Sequence, residues 1–164
     1  QIIARPNDWA KAVKKTGTVG ELSETKLLQL DFWTSFKEFV QDQGASIKLR
    51  KARPDQWFNI SIGSSKAKIS LTVNSETRRM ACDLYMSDSK DLYLALFEKK
   101  AEIENLVGGP LDWQEMPENK TSKIRIEREG DLFERESWAE FHFWMLDWVT
   151  KYSNVFGTYV KAVS

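Results

Sequence analysis

Four cations, Lys48, Arg50, Lys51 and Arg53, share a six-residue span just ahead of Trp57 and Phe58. Arg78 and Arg79 come about 25 residues further on, in the next part of the chain. Cations neutralise phosphates and release their counterions, and flat aromatic rings stack on bases. Lys48, Arg50, Lys51, Arg53, Trp57, Arg78 and Arg79 are therefore the candidate contacts for DNA or RNA. The same residues also make an ordinary solvated loop with Trp57 covering one edge of a core. Lys plus Arg and Asp plus Glu number 24 each, so no global field favours a polyanion and any such binding must be local.

Catalytic chemistry finds less support. A restriction-endonuclease-like core shares the order helix, three strands, helix, strand, and it needs acids and a lysine at set places to hold a metal and assist water. Asp55 and Glu76 imitate the letters but fall before the first strand and in a turn, and Asp83 has no lysine two residues on. His142 stands at the margin of an aromatic helix, where a histidine packs with a polar tip more often than it acts as a base. Cys82 alternates with Met80 and Leu84 and reads as a buried thiol. One cysteine and one histidine exclude disulfides and an all-N/S zinc site. Gly108-Gly109 follows a helix, so it is a stop and not a phosphate loop. No catalytic residue, metal ligand or cofactor is assigned.

The elements that must position these residues follow from periodicity. Residues 1–22 show no sustained period apart from a short helix at 9–15, and they read as the tail of a preceding domain plus a linker, an expectation that suits a chain beginning with Gln1. Residues 23–164 read as one domain. Ser23 caps a helix over 24–43, with Leu28, Phe32, Trp33, Phe36, Phe39 and Val40 on one face. Three stretches then alternate: Phe58, Ile60 and Ile62; Ile69, Leu71 and Val73; Met80, Cys82, Leu84 and Met86. Short Gly, Ser and Asn joints make them an antiparallel meander with one covered face. A second helix spans 89–107, capped by Ser87 or Asp88, and strands at 111–116 and 122–129 follow. In the last helix Trp138, Phe141, Met145, Trp148, Tyr152, Val155 and Tyr159 recur at steps of three and four, a heptad seam, and Ser137 and Glu140 have capping-box spacing.

Phe143, Trp144 and Leu146 lie off that seam, so Trp138, Trp144 and Trp148 are candidates for an interaction face toward a second copy or toward a preceding N-terminal domain. No apolar run approaches the roughly 18 residues of a membrane helix. No stretch resembles a signal peptide, and a lone thiol suits a reducing compartment, so the expected location is cytoplasmic, with no membrane partner.

Several segments stand out together, beginning with Leu30-Asp31-Phe32-Trp33-Thr34-Ser35-Phe36 and Leu96-Phe97-Glu98-Lys99-Lys100-Ala101-Glu102-Ile103-Glu104. Next come Leu111-Asp112-Trp113-Gln114-Glu115-Met116-Pro117-Glu118-Asn119-Lys120 and Ser122-Lys123-Ile124. Trp138, Phe143-Trp144-Met145 and Val155-Phe156 close the pattern. Together they resemble the family catalogued as domain of unknown function 4268. The resemblance implies a prokaryotic C-terminal module that often follows a nuclease-like domain, with Pro6-Asn7-Asp8-Trp9 similar to the stretch where that domain ends. It brings no catalytic motif.

The expected fold is α+β, a mainly antiparallel sheet of about five strands covered on one face by two or three helices in the order α-β-β-β-α-β-β-α. The expected function is a non-catalytic accessory domain of a larger nuclease-like protein, with defence as one setting, that contacts nucleic acid. A homodimerisation or interdomain docking module and a divergent metal-dependent nuclease are the alternatives.

Overall fold

A computed structural model describes residues 23–163. The tail and linker expected over 1–22, with the short helix at 9–15, lie outside the described residues.

Helix α1 spans Glu24–Asp42. The Ser23 hydroxyl accepts from the Lys26 amide at 3.2 Å, and Glu24 sits at the positive end of the helix dipole. Leu28, Phe32, Trp33, Phe36 and Val40 form its buried stripe. Gly44, at φ 71°, turns the chain out through the left-handed region.

From there the chain runs back along α1. The Ala45 amide bonds to Val40 at the end of the helix. The Pro54 and Asp55 carbonyls accept from Lys26 Nζ at 3.4 Å and Trp33 Nε1 at 2.8 Å, nearer its start. Retracing roughly 20 Å of helix in about ten residues calls for a largely extended strap. Ile47, Leu49 and Ala52 pack on the core while Lys48, Arg50, Lys51 and Arg53 face solvent.

Strands β1 (Trp57–Ser61), β2 (Ala67–Asn74) and β3 (Arg79–Ser87) form the expected meander. Strand β5 (Thr121–Glu129) pairs with β3, and β4 (Asp112–Gln114) pairs with β5 at the far edge. The antiparallel order is β1-β2-β3-β5-β4. Phe58, Ile60, Ile69, Leu71, Val73, Met80, Cys82, Leu84, Met86 and Ile124 line the covered face. This is the α+β architecture expected, in the expected order.

The second helix is broken. α2 spans Lys90–Phe97 and α3 spans Lys100–Val107. Leu92 and Leu96 are buried on α2, so an unbroken helix would bring Lys99 and Lys100 to the core next. The helix breaks at that point, and Ile103 and Val107, in phase with Leu96, take up the inward face again on α3. Gly108 closes α3 at φ 97°. Ser89, and not Ser87 or Asp88, stands at the N-cap of α2, and its hydroxyl donates to the Ser87 carbonyl.

At the start of α2 the Lys90 ammonium faces four acceptors: the carbonyls of Glu115, Met116 (2.9 Å) and Thr121 (2.8 Å), and the Ser122 hydroxyl (2.9 Å). It holds together a loop in which Met116 sits at φ 52°, a region that costs a non-glycine residue about 1 kcal/mol or more. Charged hydrogen bonds contribute about 1.5–3 kcal/mol each, so Lys90→Met is expected to destabilise by at least that much. Amide exchange over 116–121 should rise first. An unchanged melt and exchange profile would show that the ammonium does not hold this loop.

A 3-10 turn (Arg135–Ser137) leads into α4, Trp138–Val163. Glu140, expected to close a capping box with Ser137, accepts from Arg128 at 2.8 Å instead. The buried stripe is Trp138, Phe141, Met145, Val149, Tyr152, Phe156 and Val160. It drifts off the expected seam to Val149, Phe156 and Val160, because a straight helix repeats every 3.6 residues and only a supercoiled one holds 3.5. α4 lies across β2 and β3 and packs against α1, α2 and α3. The Tyr152 hydroxyl donates to the Ile124 carbonyl at 3.0 Å, anchoring the helix to β5. Among the described residues, no helix is long and apolar enough to cross a membrane.

Candidate nucleic-acid interface

Alternation along the strap turns Lys48, Arg50, Lys51 and Arg53 outward, because Ile47, Leu49 and Ala52 hold the intervening positions on the core. None of the four forms an ion pair with another described residue. The strap feeds into β1, whose first residue, Trp57, is 51% exposed. The β2–β3 turn lies at the same end of the sheet, since the Val73 amide bonds to the Gln56 carbonyl at 2.8 Å. There Asn74 Oδ1 accepts from the Glu76 and Thr77 amides, and the exposed Arg78 takes φ 56°. Arg79 is different: its Nε lies 3.2 Å from Glu127 Oε1, so its charge is matched within the sheet.

The strand register assembles a second feature. Trp57 lies opposite Thr72, Thr72 opposite Ala81, and Ala81 opposite Glu127. Two residues along, Asn59, Ser70, Asp83, Arg125 and Asp112 form a row. Two further on, Ser61, Lys68, Tyr85, Lys123 and Gln114 form another. Side chains alternate across a sheet, so these rows share the face turned away from the core. Trp57 and Tyr85 bound a hollow of about 300 Å³ lined by strand side chains alone. Lys68 and Lys123 place their ammonium groups 5.2 and 6.0 Å from the centre of the Tyr85 ring.

The floor of the hollow is polar and buried: Ser70 is 7% and Asp83 1% exposed. Arg125 grips Asp83 with two parallel bonds, Nε to Oδ1 at 2.7 Å and Nη2 to Oδ2 at 2.9 Å. The hydrogen bonds to Asp83 raise the pKa of Arg125 and outweigh the opposing effect of burial.

Lys68, Tyr85 and Lys123 lie outside the contacts expected from sequence. Their signal was present in the outward positions of three alternating stretches, but only the register brings them to one place.

The remaining candidates are dispersed. Asp83 is held by Arg125, and among the described residues no three His, Cys, Asp or Glu side chains are placed to hold a metal, so Asp55, Glu76 and Asp83 do not form such a cluster. Cys82 is fully buried, and desolvation pushes its thiol pKa well above the ordinary value. His142 is buried among Phe32, Phe36, Phe39 and Trp138. Of the three tryptophans expected on an interaction face, Trp138 belongs to the core, its indole donating to the Leu132 carbonyl at 2.8 Å. Trp144 and Trp148 are half-buried, and the Lys151 ammonium lies 4.4 Å from the Trp148 ring. The exposed aromatic of that helix is Phe143, at 62%.

Among curated proteins none matches this chain. Among solved structures, YbjN from E. coli is similar at a TM-score of 0.37 and 7% identity, over 74% of this chain and 90% of that one. Residues 28–160 match the family model described as Domain of unknown function (DUF4268), and the chain belongs to that family.

Proposed function

We propose that this domain is a non-catalytic module that holds single-stranded nucleic acid across the open face of its sheet. The observation that carries the reading is the placement of Trp57 and Tyr85 on one face, with Lys68 and Lys123 beside the second ring and the cationic strap leading to the first. From strand spacings, the two rings stand about 16 Å apart, so they serve non-adjacent bases of an extended strand. Unstacked bases can lie on such a face, whereas a duplex keeps its bases stacked away from it. Lys48, Arg50, Lys51, Arg53 and Arg78 are solvent-facing charges free to meet phosphates as the strand leaves the face. Arg79 contributes less, being paired with Glu127.

The docking alternative loses its first anchor with Trp138 in the core, and the metal-dependent alternative loses its carboxylate cluster. Service beside a nuclease-like domain, in defence or otherwise, rests on the family resemblance alone and agrees with a segment that binds without cutting.

The test is fluorescence anisotropy with a labelled single-stranded oligonucleotide of about 12 nucleotides. Contacts from Lys68, Lys123 and the four strap cations would make affinity fall on the order of a hundredfold between 50 and 200 mM salt. Trp57→Ala should weaken binding about tenfold through lost stacking. Charge reversal at Arg50 and Arg53 should weaken it further and flatten the salt dependence. Undetectable binding at low salt overturns the reading, and unchanged affinity in both variants does the same.

A further inference from the structure

We infer that the hollow between Trp57 and Tyr85 reads a single base, accepting those that carry an exocyclic amino group and rejecting uracil and thymine. This rests on the proposed function and adds a sequence preference to it. The hollow, at about 300 Å³, is at the small end of ligand pockets and suits one flipped-out ring more than a larger ligand. Its floor is built and not incidental, because Asp83 is a buried carboxylate fixed in orientation by two bonds from Arg125. That grip uses one acceptor site on each oxygen. A carboxylate has about four, so two remain.

Arg125 lies opposite Asp83 on β5, and Ser70 lies opposite it on β2. The guanidinium therefore approaches from one side, and the unused acceptor sites are left for the hollow and its Ser70 side. Asn59, Ser70 and Thr72 also line the space, and none gives its side-chain polar atoms to another described residue. The pocket thus presents a fixed acceptor with adaptable neighbours, between a stacking ring and two ammonium groups that can take the flanking phosphates.

Carboxylates accept from the amino groups of bases, as in the contact of Asp or Glu with cytosine N4. Cytosine and uracil have the same ring size, but where cytosine offers N4–H2 uracil offers a carbonyl, which would face the carboxylate acceptor to acceptor. One such contact is worth about 1–3 kcal/mol of discrimination, so oligocytidine should bind about tenfold tighter than oligouridine.

The experiment compares anisotropy titrations of the whole chain with single-stranded C12 and U12, and with C12 carrying N4,N4-dimethylcytosine. The expected results are a tenfold preference for C12 over U12 and its loss on dimethylation, which keeps the ring and removes the donors. Equal binding of C12 and U12 overturns the inference and leaves the proposed function standing. A preference that survives dimethylation overturns it too. Absence of binding to all three overturns both. The paired substitution Asp83→Asn with Arg125→Gln should abolish the preference of C12 over U12. If that variant does not fold, the dimethylated oligonucleotide alone decides.

Discussion

Acidification from pH 7 to pH 4 is expected to remove about 3 kcal/mol of stability through His142 alone. The side chain is wedged between α4 and α1, with ring centres 4.6 Å from Phe32, 5.8 Å from Phe36 and 5.9 Å from Phe39. Its Nε2 has no hydrogen-bond partner among the described residues. Burial in this aromatic nest lowers its pKa from 6.5 to about 4, while a backbone hydrogen bond with Phe32 pulls weakly the other way. Above 6.5 the ring is neutral in both the folded and unfolded chain, and the contribution is fully present. Below 6.5 the unfolded chain takes up the proton while the folded one resists until about 4, so unfolding is favoured throughout that window. Urea titrations at several pH values would read the slope. His142→Leu should match the parent at pH 7 and lose the histidine's share of the acid sensitivity. Parallel stability curves for parent and variant would remove the assignment.

The second large effect concerns the floor of the open face. Arg125→Met leaves the Asp83 carboxylate buried without its partner and is expected to cost about 3–5 kcal/mol. Removing both charges at once, with Asp83→Leu and Arg125→Met, should restore most of that loss, since each ion's desolvation disappears along with the attraction. A double-mutant cycle measures the difference. A cost below about 1 kcal/mol for the single change would mean the pair behaves as an exposed one in solution.

The fold was largely legible in the sequence. Alternation from Trp57 to Met86 dictated the meander, because one face is apolar at every second residue. The break after Phe97 was written in the two lysines that interrupt an otherwise inward stripe, but an unbroken reading passes over them. The drift on α4 needed the distinction between a helix lying on a sheet and one wound about another helix. The candidate site was legible by halves. A run of cations is visible as letters, and Trp57 beside it is equally plain. The gathering of Tyr85, Lys68 and Lys123 depends on β5 pairing with β3, between residues about forty positions apart, and single-sequence periodicity does not carry that distance. Arg125 and Asp83 were each recognisable as outward-facing, yet their pairing was not, for the same reason.

The placement of α4 has a consequence for the order of assembly. Seven of its side chains are buried, the helix lies across β2 and β3, and it is the last of the described elements to leave a ribosome. A nascent chain can hydrogen-bond its sheet earlier, with α1 and α2 covering part of the greasy side, but the rest stays uncovered until α4 emerges. Chaperone dependence during synthesis would therefore centre on that interval.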